Sequence, residues 1–194
     1  MSARGRSRVT IGILAVVILG VVIGSWYVRS RNQVITLDED INGAWAEIDN
    51  QLQRRSDLIP NLVETVKGFA AHEEKVFADI ANARAKLAGA GSVAETAEGY
   101  NEMQGALARL LVVVENYPNL KSNENFIQLQ DELAGTENRI AVARKRYNDK
   151  VKAYNTRIRT FPGSTIAGSM GFEKRDYFEI DESARIAPKV NFGG

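Results

Sequence analysis

A single histidine, His72, stands beside Glu73 and Glu74 in a chain that has no cysteine. That is half of a zinc-protease pattern, in which two histidines four residues apart hold the metal and a glutamate activates water. The second ligand is missing, because position 76 is Val76. One histidine without cysteines cannot assemble an ordinary zinc site, so His72 reads as a solvated residue on a helix surface. Asp131 and Glu132 are paired in sequence, but adjacent helix positions do not face each other and cannot share a proton as a dyad. No Gly-rich phosphate loop, nucleophile elbow or histidine-paired serine is present. The expectation is a protein with no catalytic, metal-binding or cofactor-binding residues, hence not an enzyme.

Two charged groups remain. Arg54, Arg55, Asp57 and Glu64 surround Pro60, which lacks a backbone donor and is expected to kink or end a helix. Carbonyls freed at such a break, and the helix start beyond it, attract charged partners. Capping and ion pairing within the chain is one use of these residues, and contact with a ligand or second subunit is the other. The second group is basic: Arg139, Arg144, Lys145, Arg146, Lys150, Lys152, Arg157 and Arg159 face one acid, Asp149. Bases at a helix C-terminus complement the macrodipole, yet eight within 21 residues exceed that need. Arg144, Lys145, Lys150, Lys152, Arg157 and Arg159 are therefore candidate contacts for lipid or a partner.

The elements that must position these residues are helical. Only Pro60 and Pro118 interrupt the stretch from Asp38 to Thr160. Val34, Leu37, Ile41, Trp45, Ile48 and Leu52 recur every three or four positions, one stripe of a first helix. With Ser56 or Asp57 as N-cap and Pro60 in the first turn, a second helix carries Val63, Val66, Phe69, Phe77, Ile80 and Leu87, and stops at Gly89-Ala90-Gly91. Ser92 and Glu95 make a capping box for a third, striped by Tyr100, Met103, Leu107, Leu110, Leu111 and Val114 and ending at Tyr117-Pro118. Ser122 is expected to cap a fourth, running to about Thr160. Phe126, Leu133, Ile140, Tyr147, Tyr154 and Phe161 recur there every seventh residue, the repeat of coiled-coil packing. Such a helix is longer than its companions, which implies a kink at Gly135 or surface for another subunit. Beyond it the chain loses helical character, with weak strand-like alternation at Tyr177–Asp181 and Lys189–Phe192. The pair Tyr-Asn occurs at Tyr100, Tyr147 and Tyr154 with unmatched flanks.

Upstream of all this, Val9 to Val28 is a run of 20 residues without charge, preceded by Arg4, Arg6 and Arg8 and followed by Arg29 and Arg31. As a helix it spans roughly the 30 Å of a bilayer core. A cleaved signal peptide would be shorter and end in a small-x-small site; this run ends instead in Trp26 and Tyr27, placed as interfacial aromatics. Three arginines before the span against two after it favour a cytoplasmic N-terminus and an exported domain. Removing those five arginines leaves 20 basic against 24 acidic residues, a net of −4. General nucleic-acid binding needs the opposite balance. The organisation expected is a basic flank (1–8), a transmembrane anchor (9–28), an all-α antiparallel bundle of about four long helices (32–160), and an irregular tail (161–194) packing on the bundle, a partner chain or the membrane surface.

The segment from Arg54 to Gly68, RRSDLIPNLVETVKG, resembles the signature of the bacterial LemA family. Glu115 to Lys121, Glu137 to Arg144, Arg159-Thr160-Phe161-Pro162 and Pro188 to Phe192 are similar to its further blocks. The resemblance implies a single-pass protein of the bacterial cytoplasmic membrane with a helical bundle, and carries over no catalytic residue. It implies other envelope proteins, membrane metalloproteases among them, as partners. With the heptad helix and the strand-prone tail, the expectation is a scaffold of the cell envelope that forms homo-oligomers and touches membrane lipid. A signalling or sensor module, in which a ligand or membrane state shifts helix packing, is the alternative.

Overall fold

The computed structural model describes residues 3–180, with side chains described from residue 11 onward. Among these residues the chain is all-α: α1 (Ala3–Lys67), α2 (Glu74–Ala88), α3 (Val93–Val114), α4 (Pro118–Lys121), α5 (Glu124–Arg159) and α6 (Gly163–Met170). The helical bundle expected from periodicity is present, but its first break lies elsewhere. Helix α1 continues through Pro60 to Lys67, so the apolar span, the first stripe and the start of the second form one helix of 65 residues. Pro60 leaves the Ser56 carbonyl without its usual partner. Arg84 on α2 supplies one, its Nε donating to Ser56 O at 3.2 Å and to Ser56 Oγ at 3.1 Å. Ile59, Leu62 and Val66 are buried around the proline; packing holds the helix where local propensity would end it. The chain turns only after Lys67, and His72 lies exposed in that turn rather than on a helix surface.

Two other boundaries follow local chemistry. The Ser92 hydroxyl accepts from Glu95 N at 3.2 Å, while the Glu95 carboxylate accepts from Gly91 N at 2.7 Å, a capping box displaced by one residue. Asn123, not Ser122, caps α5: its Oδ1 accepts from Phe126 N at 3.1 Å, and the Ser122 hydroxyl donates back to Pro118 O at 3.2 Å. Helix α5 runs through Gly135 without a break.

The chain divides into two compact units. One comprises Gly43–Asp149 with the residues from Asp176, and Ile59, Leu62, Val66, Ile80, Met103, Leu110, Leu120, Phe126 and Leu133 form its core. Helices α2 and α3 approach closely there, since a Cβ on Gly99 would lie 2.9 Å from Leu87 Cα. The heptad residues Phe126, Leu133, Ile140 and Tyr147 of α5 are buried within the chain. Glu47 accepts from Arg146 at 2.8 Å and Gln51 from Arg139 at 3.1 Å, an antiparallel register.

The other unit comprises Met1–Asn42 and Lys150–Arg175. Val34, Ile41, Val151, Tyr154, Ile158 and Ile166 are buried in it. Asp40 pairs with Lys150 at 2.7 Å, and Asp38 takes two bonds from Arg175 at 2.9 and 3.0 Å. From Ile11 to Ile23 ten aliphatic side chains of α1 are 54–70% exposed, with no part of the most apolar window buried.

Residues Phe172–Ile180 form neither helix nor strand, so the alternation read at Tyr177–Asp181 does not make a ladder among the described residues. Their backbone is held by side chains of α5. In one unit the Asn155 amide receives Arg175 N at 2.9 Å and donates to Arg175 O at 2.9 Å, beside a Tyr154 hydroxyl donating to Glu173 O at 3.0 Å. In the other, Asn148 receives Phe178 N at 2.9 Å and donates to Phe178 O at 3.1 Å, while Tyr147 donates to Asp176 O at 2.9 Å. Two of the three Tyr-Asn pairs thus perform one task. Lys189–Phe192 lies outside the described residues.

Candidate functional site

The larger unit contains a cleft of about 620 Å³, bordered by Leu62, Leu107, Leu111, Leu133 and Ile180 and floored by Arg55, Tyr100, Gln104 and Glu137. Each floor residue owes its place to helix phase. Arg55 is on the buried face of α1, three residues past Leu52 and four before Ile59. Tyr100 and Gln104 are one turn apart on α3 and so share a face. Glu137 follows the buried Thr136 on α5.

These four residues form a closed polar network. Arg55 is 4% exposed, and its guanidinium makes an ion pair with Glu137 and donates to Gln104 Oε1 at 2.8 Å. It also lies 5.6 Å from the centroid of the Tyr100 ring, a cation–π distance. Tyr100 donates its hydroxyl to the Glu137 carboxylate at 2.5–2.6 Å, and Gln104 Nε2 donates to Tyr100 at 3.0 Å and to Glu137 at 2.5 Å. Burial, and then the bond to the Glu137 carboxylate, push the Tyr100 phenol well above its ordinary value, because an ionised phenol there would face a carboxylate with little water to shield it. The one open valence is Arg55 Nε, buried without a partner.

Phe178 joins the network from the extended segment. Fully buried, its ring lies 6.2 Å from Tyr100 and 5.7 Å from Trp45, and Ile180 two residues on reaches the cleft wall. Leu111 is 44% exposed; on the third stripe it is the residue that faces the cleft instead of the core.

The residues singled out around Pro60 separate. Arg55 alone enters the network. Arg54 borders a shallower groove with Glu124, Asp131 and Arg139. Asp57 accepts from Gln53 at 2.9 Å and Glu64 from Lys67 at 2.9 Å, both on exposed faces of α1, and Pro60 is helical. The basic set on α5 separates too. Arg144 borders the cleft and Lys150 is paired with Asp40. Arg157, in the other unit, donates to the Ser30 hydroxyl. Lys145, Lys152 and Arg159 are exposed. Sequence periodicity marked Tyr100 only as a core residue and passed over Gln104; the signal that would have found them is the i, i+4 spacing of two polar-tipped side chains on a buried face. Among the described residues no three His, Asp or Glu side chains converge to hold a metal.

An all-α bundle whose first helix is also long, apolar and uncovered enough to cross a bilayer defines a membrane-associated helical protein. The chain belongs to the LemA family, whose model matches residues 44–192. It is 28% identical to magnetosome protein MamQ 2 of Paramagnetospirillum magneticum over 76% of this chain and 64% of that protein. Magnetosome protein MamQ of Magnetospirillum gryphiswaldense is 27% identical over 82% of this chain and 69% of its own length. Protein LemA of Metamycoplasma hominis is 24% identical, over 82% and 74% respectively. The alignment thus spans slightly under two thirds of the first of these relatives.

Proposed function

We propose that this protein is a non-enzymatic scaffold of the bacterial cell envelope, tethered by α1 as a single span of the cytoplasmic membrane with the bundle outside the cytoplasm. It assembles with itself and with other envelope proteins. The cleft of the larger unit carries this reading. Its walls carry Leu62, Leu107, Leu111, Leu133 and Ile180, which suit a partner's apolar side chains, and the carboxylate on its floor is already engaged. The Glu137 carboxylate takes bonds from Arg55, Tyr100 and Gln104, so it is poorly placed as a general base. Tyr100, with its proton held tightly, is poorly placed as an acid. The name magnetosome protein, carried by two relatives, denotes a place and not a reaction, which suits a structural part.

The test is to extract the full chain in mild detergent and weigh it. A mass well above one chain, reduced by Leu111→Arg with helix content unchanged, supports the reading. A strictly monomeric species across concentrations, with no companion protein, overturns it.

One observation favours a sensor as a second reading: Arg55 and Leu62, which line the cleft, belong to α1, the helix that carries the apolar span. Occupation of the cleft would then alter α1 itself. Cysteines placed at Gln51 and Arg139, whose side chains meet at 3.1 Å, would be unique in this chain. Their crosslinking should change with membrane composition if the protein senses it, and stay constant if it does not.

A further inference from the structure

The smaller unit contains four arginines that the cleft does not explain. Arg157 donates to Ser30 on α1, and its Nε is buried without a partner. Arg29 and Arg31 flank Ser30 in sequence, which sets them about 100° to either side of that contact around the helix. Arg159 lies two residues past Arg157 and is exposed. No acid occurs among residues 9–37 or 151–172. Of the carboxylates that border these stretches, Asp38 and Asp40 are held by Arg175 and Lys150, and Glu39 and Glu173 are exposed.

Aromatic rings stand close to these arginines along both helices. The Trp26 ring lies 5.7 Å from that of Phe161, and Phe161 is 76% exposed. Trp26 and Tyr27 close the uncovered run of α1, the position of interfacial aromatics. Phe161 therefore extends the aromatic belt onto the segment that follows α5. Exposing such a ring to water is unfavourable, whereas the headgroup boundary accepts aromatic rings readily.

We infer that Arg29, Arg31, Arg157 and Arg159, set around α1 and the end of α5 at the level of Trp26 and Phe161, bind the phosphates of anionic phospholipids whose acyl chains lie along α1 below those rings. Guanidinium groups suit phosphate because their forked donors bond its oxygens in pairs. Among the six basic residues of α5 first considered as lipid contacts, this selects Arg157 and Arg159 and leaves out Arg144, Lys145, Lys150 and Lys152. The inference is independent of what the cleft holds.

The full chain, purified in mild detergent, is offered mixed phosphatidylglycerol and phosphatidylcholine micelles, and the retained lipid is quantified by native mass spectrometry. The wild type should retain phosphatidylglycerol preferentially, and Arg159→Gln should lower that preference on the order of fivefold, the effect of one basic residue at a membrane surface. Arg157→Gln should act in the same direction, while Lys145→Gln, an exposed charge of the other unit, should leave the preference intact. Equal retention of both lipids by the wild type overturns the site, as does a Lys145→Gln effect as large as that of Arg159→Gln. Inorganic phosphate at millimolar concentration should not displace the lipid; full displacement would mark a site for soluble phosphate and overturn the lipid assignment.

Discussion

Arg55 makes the larger unit depend on a buried charge, because a side chain that is 5% exposed needs its counter-charge. Glu137 supplies it, with a side chain 38% exposed. Removing one partner of a fully buried pair costs about 3–5 kcal/mol; water reaches Glu137, so the loss here should be smaller. Glu137→Gln is expected to destabilise by about 1–2 kcal/mol and Glu137→Leu by about 2–3 kcal/mol, measured by urea unfolding of the detergent-solubilised chain. Arg55→Met combined with Glu137→Leu should cost less than the two single changes added, since neither leaves a charge stranded. Strict additivity would show that the pair is not coupled. Tyr100 makes the same network sensitive to alkali. Its folded value is raised from an ordinary 10.0, so the folded state holds the proton more tightly than the unfolded chain does. That stabilisation is complete below pH 10.0 and is lost as pH rises through the folded value. Tyr100→Phe should therefore flatten the alkaline fall in stability, measured by urea unfolding as the pH is raised.

At the scale of elements, the two Tyr-Asn pairs on α5 replace a β-ladder. A carboxamide presents a donor and an acceptor side by side, so one asparagine can satisfy both backbone groups of one residue in an extended chain. Asn155→Ala should expose the Arg175 amide, and Asn148→Ala the Phe178 amide, each at a cost of about 1–3 kcal/mol. Hydrogen exchange at those two amides is the measurement, and unchanged protection in both variants would show that the clamps hold nothing. Sequence reading found the recurrence of Tyr-Asn and could not interpret it, because the partner is a segment with no periodicity of its own. It found α3 and α5, the capping box at Ser92 and the buried stripe of α5, all of which are consequences of local spacing. It ran a single helix through the turn between α1 and α2, and it read the stretch of α6 as non-helical because of Gly163 and Gly168, where burial of Ile166 and Ala167 holds the helix. It misplaced the first break because Pro60 is compensated from 24 residues away by Arg84. No local rule announces such a donor. The cleft was half legible for the same reason: Arg55 was conspicuous beside proline, while Gln104 and Glu137 acquire meaning only when α3 and α5 are brought to α1.

For the whole molecule, the decisive quantity is the apolar surface that α1 leaves uncovered. Ten aliphatic side chains from Ile11 to Ile23 are each more than half exposed. At about 1 kcal/mol for each half-buried side chain moved out of water, the preference for a bilayer is on the order of 10 kcal/mol. One arginine at the centre of a span costs about 2.5–3.5 kcal/mol, so Ile18→Arg alone should leave the protein in the membrane fraction. Adding Leu14→Arg and Val22→Arg, each one turn away on the same face, brings the total cost to about 8–10 kcal/mol and should cancel the preference. The triple variant is then expected to appear substantially in the soluble fraction after alkaline extraction, with the single variant retained. The core of Ile59, Met103, Leu110 and Phe126 contains no residue of the span, so the released chain should keep its helical signal and its cooperative unfolding. If the triple variant stays fully membrane-bound, the span is not what holds the protein there. If it loses its fold, the division between an anchor and a self-sufficient bundle is wrong.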